Sequence, residues 1–248
     1  MSKFKAVMNH SDLSAVLDVL IKSSISDAKF QVSESGIIVR AIDPASVQLT
    51  HVEMPAKAFS FLMADKSDLG IDVDKLADMV SAGDKSDPVS LQLLEETGKL
   101  NIKSGRLDWS LSLIAPDSIQ KEPKLPDLDL PCAAEIPSSE FQRTIKAAEK
   151  VGDSVRLSMT DDSITMETKA IEQSMVSKIP LSELTGLKLG VGSSVYSMNY
   201  LRDMAKSGSK SSTVKMEWGP DYPLRMSFDL GENGINVQYL LAPRIEQD

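Results

Sequence analysis

Carboxylates are the commonest reactive groups in this chain: 36 Asp and Glu stand beside 27 Lys and Arg, two histidines and one cysteine. A metal-dependent reaction needs ligands that converge on one point, so the tightest acidic clusters are the first candidates. Asp127 and Asp129 in PDLDLP alternate along an extended segment, which turns them to opposite sides and denies them a shared ion. Asp161 and Asp162 in TDDS fall between two strand-like runs, where a tight turn accounts for them. His10, His51 and Cys132 make up neither a zinc cluster nor a disulfide. No GxGxxG, GxxxxGK, HExxH, CxxC or GxSxG arrangement occurs, so phosphate cradles, zinc peptidase sites and the hydrolase elbow lack support. No cofactor is expected. A metal-dependent enzyme remains only as an alternative with no convergent acidic set behind it.

The basic residues are better organised. Arg143, Lys146 and Lys150 recur three and four apart, which puts them on one helix face opposite Phe141, Ile145 and Ala148. Arg202 and Lys206 stand likewise beside Leu201, Met204 and Ala205. A net charge of −9 repels phosphates if it is evenly spread, and these faces predict that it is not. Lys22 and Lys75 have more acidic company in Asp18, Asp74 and Asp78.

These faces belong to a repeat. LADMVSAGDKSDPVSLQL from Leu76 returns as LRDMAKSGSKSSTVKMEW from Leu201, with Leu76, Asp78, Met79, Gly83, Lys85, Ser86 and Val89 recurring 125 residues later. Earlier in each half, Ser11-Asp12-Leu13 matches Ser139-Glu140-Phe141, and Phe30, Val32, Ile37 and Val39 match Leu157, Met159, Ile164 and Met166. Leu13, Val16, Leu17 and Leu20 predict a first helix behind a Ser11 cap. Alternation from Phe30, a turn at Ser35-Gly36 and a return over Ile37 to Ile42 predict a hairpin. Each half opens on a strand before its first helix, and a second helix is expected from Val73 to about Gly83, with its counterpart from Met198 to about Gly208, each followed by an alternating strand from Val89 or Val214. Further strands are expected at 47–54, 100–102, 109–113, 175–179, 224–228 and 235–240. Each half is thus a strand-rich α+β domain with two helices, at 1–114 and 132–248. The segment between them, 115–131, has prolines at 116, 123, 126 and 131 and reads as an extended connector.

With 248 residues, 42% of them hydrophobic, the chain has ample material for two cores. No apolar run approaches the length of a membrane span, and MSKFKAVMNHSD gives no expectation of a secreted route. One cysteine suits a reducing, intracellular setting.

Three motifs together carry a resemblance that covers essentially the whole chain. YLLAPRIE, residues 239–246, SESGIIVRAIDPASVQL, residues 33–49, and PKLPDLDLP are similar to the ending, first hairpin and interdomain connector of the sliding clamps of the proliferating cell nuclear antigen family, in its archaeal-like form. The resemblance implies a DNA clamp fold: two similar domains per chain and three chains per ring, helices lining a central hole, sheets outside. It implies a non-enzymatic polymerase processivity factor that encircles double-stranded DNA without reading sequence, in the cytoplasm at the nucleoid of an archaeal-like cell, or in a nucleus if the cell is eukaryotic. Lys22, Lys75, Arg143, Lys146, Lys150, Arg202, Lys206 and Lys210 then face the duplex.

Partners implied are a clamp loader ATPase, DNA polymerase, flap nuclease and ligase, docking through short peptide motifs. The matching pocket takes in Ile42, Ser46, Val47, Leu49, Leu130, Pro131, Tyr222, Pro223, Leu240, Leu241, Ala242 and Pro243, although Val47, Leu49 and Leu241 also fit a core-facing reading. Subunits would join by edge pairing of Gly105–Ala115 with Met175–Ile179. A subunit of an obligate heteromeric ring is the alternative to a homotrimer.

Overall fold

Apolar residues three and four apart turn one helix face inward in each repeat, and alternating residues do the same for the strands around it. A computed structural model describes residues 3–94, 96–121 and 123–245. Glu122 of the connector and Glu246 of the terminal motif lie outside the described residues. The chain divides into two compact units, Met1–Pro123 with Asp229–Val237, and Lys124–Phe228 with Gln238–Asp248. The division falls inside the proline-rich connector.

In the first unit β1 (Phe4–Asn9) leads into α1 (His10–Lys22), then β2 (Asp27–Ser33), β3 (Gly36–Ile42), β4 (Gln48–Pro55), β5 (Phe59–Ala64) and β6 (Ser67–Asp72). After α2 (Val73–Ser81) come β7 (Pro88–Leu94), β8 (Lys99–Ser104) and β9 (Leu107–Ser112). One sheet runs in the order β5-β1-β7-β8-β9, and a second run is β6-β2-β3-β4. Helices α1 and α2 pack on each other.

The second unit repeats the plan. It contains β10 (Cys132–Pro137), α3 (Ser138–Ala148), β11 (Ser154–Met159), β12 (Ser163–Lys169), β13 (Ser174–Pro180), β14 (Thr185–Lys188) and β15 (Gly192–Ser197). Then follow α4 (Met198–Gly208), β16 (Thr213–Trp218), β17 (Leu224–Leu230) and β18 (Ile235–Leu241), the β17–β18 tip clustering with the first unit. One sheet runs β13-β12-β11-β15, another run is β14-β10-β16-β17, and α3 packs on α4.

Local chemistry sets the boundaries. Leu13, Val16, Leu17 and Leu20 are all buried and form the inner stripe of α1. The helix begins at His10, ahead of the expected Ser11 cap; Asn9 is the cap residue and makes no side-chain cap bond. His10 fixes this start, because its Nε2 reaches the Val80 carbonyl at 2.8 Å and so ties α1 to α2. The helix stops where the Ser23 hydroxyl donates back to Val19 O at 2.8 Å and Ser24 takes φ 57°. Gly36 supplies the hairpin turn: its φ is 140°, and a Cβ there would meet the Met54 carbonyl. Among the described residues of the connector a 3-10 turn forms at Pro116–Ser118, where Pro116 sits at the tolerated first position.

Candidate functional site

Two sets of side chains carry the functional expectations, and the structure treats them differently. On the second unit, the inner stripe Phe141, Ile145 and Ala148 is buried, so Arg143 and Lys146 are forced to the solvent face of α3. On α4 the buried Leu201, Met204 and Ala205 do the same for Arg202 and Lys206. The two helices meet so that Lys146, Arg202 and Lys206 line one shallow groove of about 280 Å³, floored by Ile145 and Ala205. Lys150 and Lys210 stand on turns beyond the ends of α3 and α4, so they extend the basic face rather than share its helical stripe.

Arg143, Arg202 and Lys206 are already engaged. Arg143 donates to both Glu140 oxygens at 2.8 and 2.7 Å, and Arg202 reaches from α4 to Glu149 beyond α3 at 3.2 Å and to Asp203 at 3.3 Å. Lys206 lies 3.4 Å from Asp203. Exposed pairs of this kind add little net stability, so a phosphate can displace the carboxylate at little cost. Lys146 and Lys206 also sit in last turns, where the helix dipole favours cations.

In the first unit Lys22 pairs with Asp18 at 2.5 Å in the last turn of α1. Lys75 pairs with Asp72 at 2.7 Å, and Asp72 caps α2 through the Lys75 amide at 2.9 Å. Burial pushes the Asp72 carboxyl up, but the hydrogen bonds and charge of Lys75 outweigh it and leave it below the usual carboxylate range. Lys75 is thus placed by a cap.

The peptide-pocket residues fall on both units. Ile42, Ser46, Val47 and Leu49 belong to the first, on the end of β3 and the loop into β4. Leu49 is buried, Val47 is half-buried, and Ser46 is exposed with φ 58°. That loop is shaped by Asp43, a residue the sequence reading passed over. Its buried carboxylate accepts from the amides of Ala45 at 3.1 Å, Val47 at 2.7 Å and Gln48 at 2.6 Å. Gln48 in turn donates to Ser23 and Thr50, pinning the loop to the end of α1. The signal was present as Asp43-Pro44, a pair that favours turn initiation.

Leu130, Pro131, Tyr222, Pro223, Leu240, Leu241, Ala242 and Pro243 belong to the second unit. Leu130, Leu240 and Leu241 are buried, so they back the surface rather than form it; Tyr222 is exposed. The loop carrying Tyr222 and Pro223 is stapled from below. Ser194 donates to the Gly219 carbonyl at 2.7 Å and accepts from the Asp221 amide at 2.8 Å, and the buried Tyr196 hydroxyl donates to the Tyr222 carbonyl at 2.9 Å. Gly219 is required, because a Cβ would press on Pro131 at 2.7 Å and on Tyr222 at 3.0 Å. The connector's second half is fastened by Arg225, which donates to the Leu128 carbonyl at 3.1 Å, and by Lys188, 2.5 Å from Asp129. Past β18, the Arg244 amide donates to Val195 O at 2.7 Å and fixes the tail.

Among the described residues no group of three or more His, Cys, Asp or Glu is placed to hold a metal ion. Cys132 is buried and its thiol is pushed up by that burial.

Residues 4–104 match the model of the proliferating cell nuclear antigen N-terminal domain, and residues 124–244 match that of its C-terminal domain. The chain belongs to the proliferating cell nuclear antigen family. The "DNA polymerase sliding clamp" of Methanothrix thermoacetophila is 43% identical over 244 residues, covering 98% of this chain and 99% of the relative. That of Methanosarcina barkeri is 35% identical, covering 99% and 100%. Among solved structures, the A. fulgidus clamp with the C-terminal region of FEN-1 bound superposes with a TM-score of 0.93 at 30% identity, covering 99% of this chain and 100% of the other. This chain is accordingly a DNA polymerase sliding clamp of the archaeal kind, with the α+β clamp fold in both units.

Proposed function

We propose that three copies of the clamp close into a ring around double-stranded DNA and hold a polymerase and other replication and repair proteins there. The supporting observation is the convergence of Lys146, Arg202 and Lys206 on one groove of a chain whose net charge is −9. Cations confined to one helical face attract phosphate there, while the acidic remainder repels it elsewhere. Backbone contacts of this type carry no base readout, which suits a ring that must move along any sequence. Arg143, Lys150 and Lys210 extend the face, and Lys22 and Lys75 contribute from the other unit. The clamp domains would be 1–114 and 132–248, joined through 115–131, and the ring would work in the cytoplasm of an archaeal-like cell, at its nucleoid.

Ring closure would pair β9 of one copy with β13 of the next. Each is the outermost strand of its sheet, and each carries an exposed apolar residue, Leu107 and Val176. Partners would dock by short peptides, with Ser46 and Val47 contributing from the first unit and Tyr222 and Pro243 from the second; the relative from A. fulgidus is solved with the C-terminal region of FEN-1 bound. Loading onto DNA would need a separate ATPase, since this sequence has no nucleotide loop.

The test is Arg143→Glu, Lys146→Glu and Arg202→Glu combined. The variant should keep its assembly state and lose roughly tenfold or more in DNA retention at low salt. An unchanged DNA response would remove these helices from the duplex-facing role.

A further inference from the structure

Glu149 closes α3, where a carboxylate is the wrong charge for the helix. The carbonyl end of a helix is its negative pole and favours Lys, Arg or His. The other acids on these two helices fit their helix. Glu140 lies in the first turn of α3, at the positive pole, and Asp203 stands three residues ahead of Lys206 on α4, the favourable order for a pair on one helix. Helix stability thus accounts for Glu140 and Asp203 and leaves Glu149 unexplained.

What Glu149 faces is the neighbouring helix. Its Oε1 accepts from Arg202 Nη1 on α4 at 3.2 Å, while Arg202 Nε donates to Asp203 Oδ1 at 3.3 Å. A guanidinium carries five N–H donors, so Arg202 keeps donors for a further acceptor. Glu149 also lines the α3–α4 groove, where it is the acid among three cations, Lys146, Arg202 and Lys206. The Arg202 and Glu149 side chains are 33% and 40% exposed, so a phosphate can reach the same guanidinium from solvent. An exposed pair of this kind exchanges partners at little cost in either direction. A phosphate that takes Arg202 is therefore always in competition with a carboxylate fixed beside it.

We propose that Glu149 is the counter-charge of the duplex-facing groove: it takes Arg202 back from each phosphate and so limits how long the groove holds one place on the DNA. The inference deepens the duplex-facing reading above and rests on it. It makes Glu149 a determinant of mobility along the duplex, and it explains why an acid stands where the helix itself favours a base.

Glu149→Gln tests it, since the amide keeps an accepting oxygen for Arg202, loses the charge, and removes an unfavourable carboxylate from the helix end. Binding is followed by anisotropy of a fluorescein-labelled linear duplex, whose open ends a closed ring can thread, over a series of salt concentrations. The variant should lower Kd roughly three- to fivefold at low salt and steepen the dependence of log Kd on log salt by about one, the mark of one further phosphate contact. Asp161→Asn removes the same charge from an exposed turn outside the groove, and should leave that slope unchanged. Unchanged or weaker binding by Glu149→Gln, a gain without a change of slope, or an equal response from Asp161→Asn overturns the role of Glu149 while the duplex-facing reading stands. The combined Arg143→Glu, Lys146→Glu and Arg202→Glu variant in the same assay separates the two failures. If it binds as the wild type does, the duplex-facing reading falls, and the role of Glu149 falls with it.

Discussion

Asp43 shows how one side chain can hold a functional surface in shape. Its carboxylate satisfies three amides of the loop that presents Ser46 and Val47, and it does so from a buried position. Asp43→Ala leaves those donors without their acceptor and should destabilise the first unit by about 2–3 kcal/mol in urea unfolding. Asp43→Asn, which keeps one accepting oxygen, should recover part of that loss; equal stability of all three proteins would show that water serves the loop as well as the carboxylate does. Ser194 and Tyr196 act similarly on the loop bearing Tyr222. Of these three supports only Asp43 left a signal, in the pair Asp43-Pro44, because a buried Ser or Tyr in a strand looks like any other until its partners are known. The bases on α3 and α4 were legible, since helical spacing alone fixes which side chains oppose a buried stripe.

At the scale of elements, the repeat made both helix pairs and both first hairpins readable, because each has a strong internal period and a turn signal. Four strands escaped: β5, β6, β14 and β15. All four are outermost strands of their sheets, and β5 and β14 also have much of their surface exposed, so these two carry no clean alternation of apolar and polar residues. In β6 the run SDLGID reads as a turn by composition and is held as a strand by β2. The helix start at His10 was missed for a related reason: it is set by a contact with Val80, seventy residues away, rather than by the local cap sequence.

For the whole molecule the deciding question is closure. Leu107→Asp with Val176→Asp puts charge on both outer strands proposed to pair, and should convert a species of three times 27.0 kDa into one of 27.0 kDa by light scattering, with each unit still folded. A mass unchanged by the variant would move the joint elsewhere; a wild-type chain that is already single would point to missing companion subunits. The repeat has a colloidal consequence as well. Phe61 and Met63 on β5 are exposed, and 126 residues later Leu187 and Leu189 are exposed at β14, so duplication has given each unit a sticky outer strand. What keeps copies from adhering along these strands is mutual repulsion, which fades as the pH approaches the isoelectric point near 4.9. The acid excess proposed to steer the duplex to one face is then also the protein's solvent shield, and mild acid should bring it out of solution through β5 and β14.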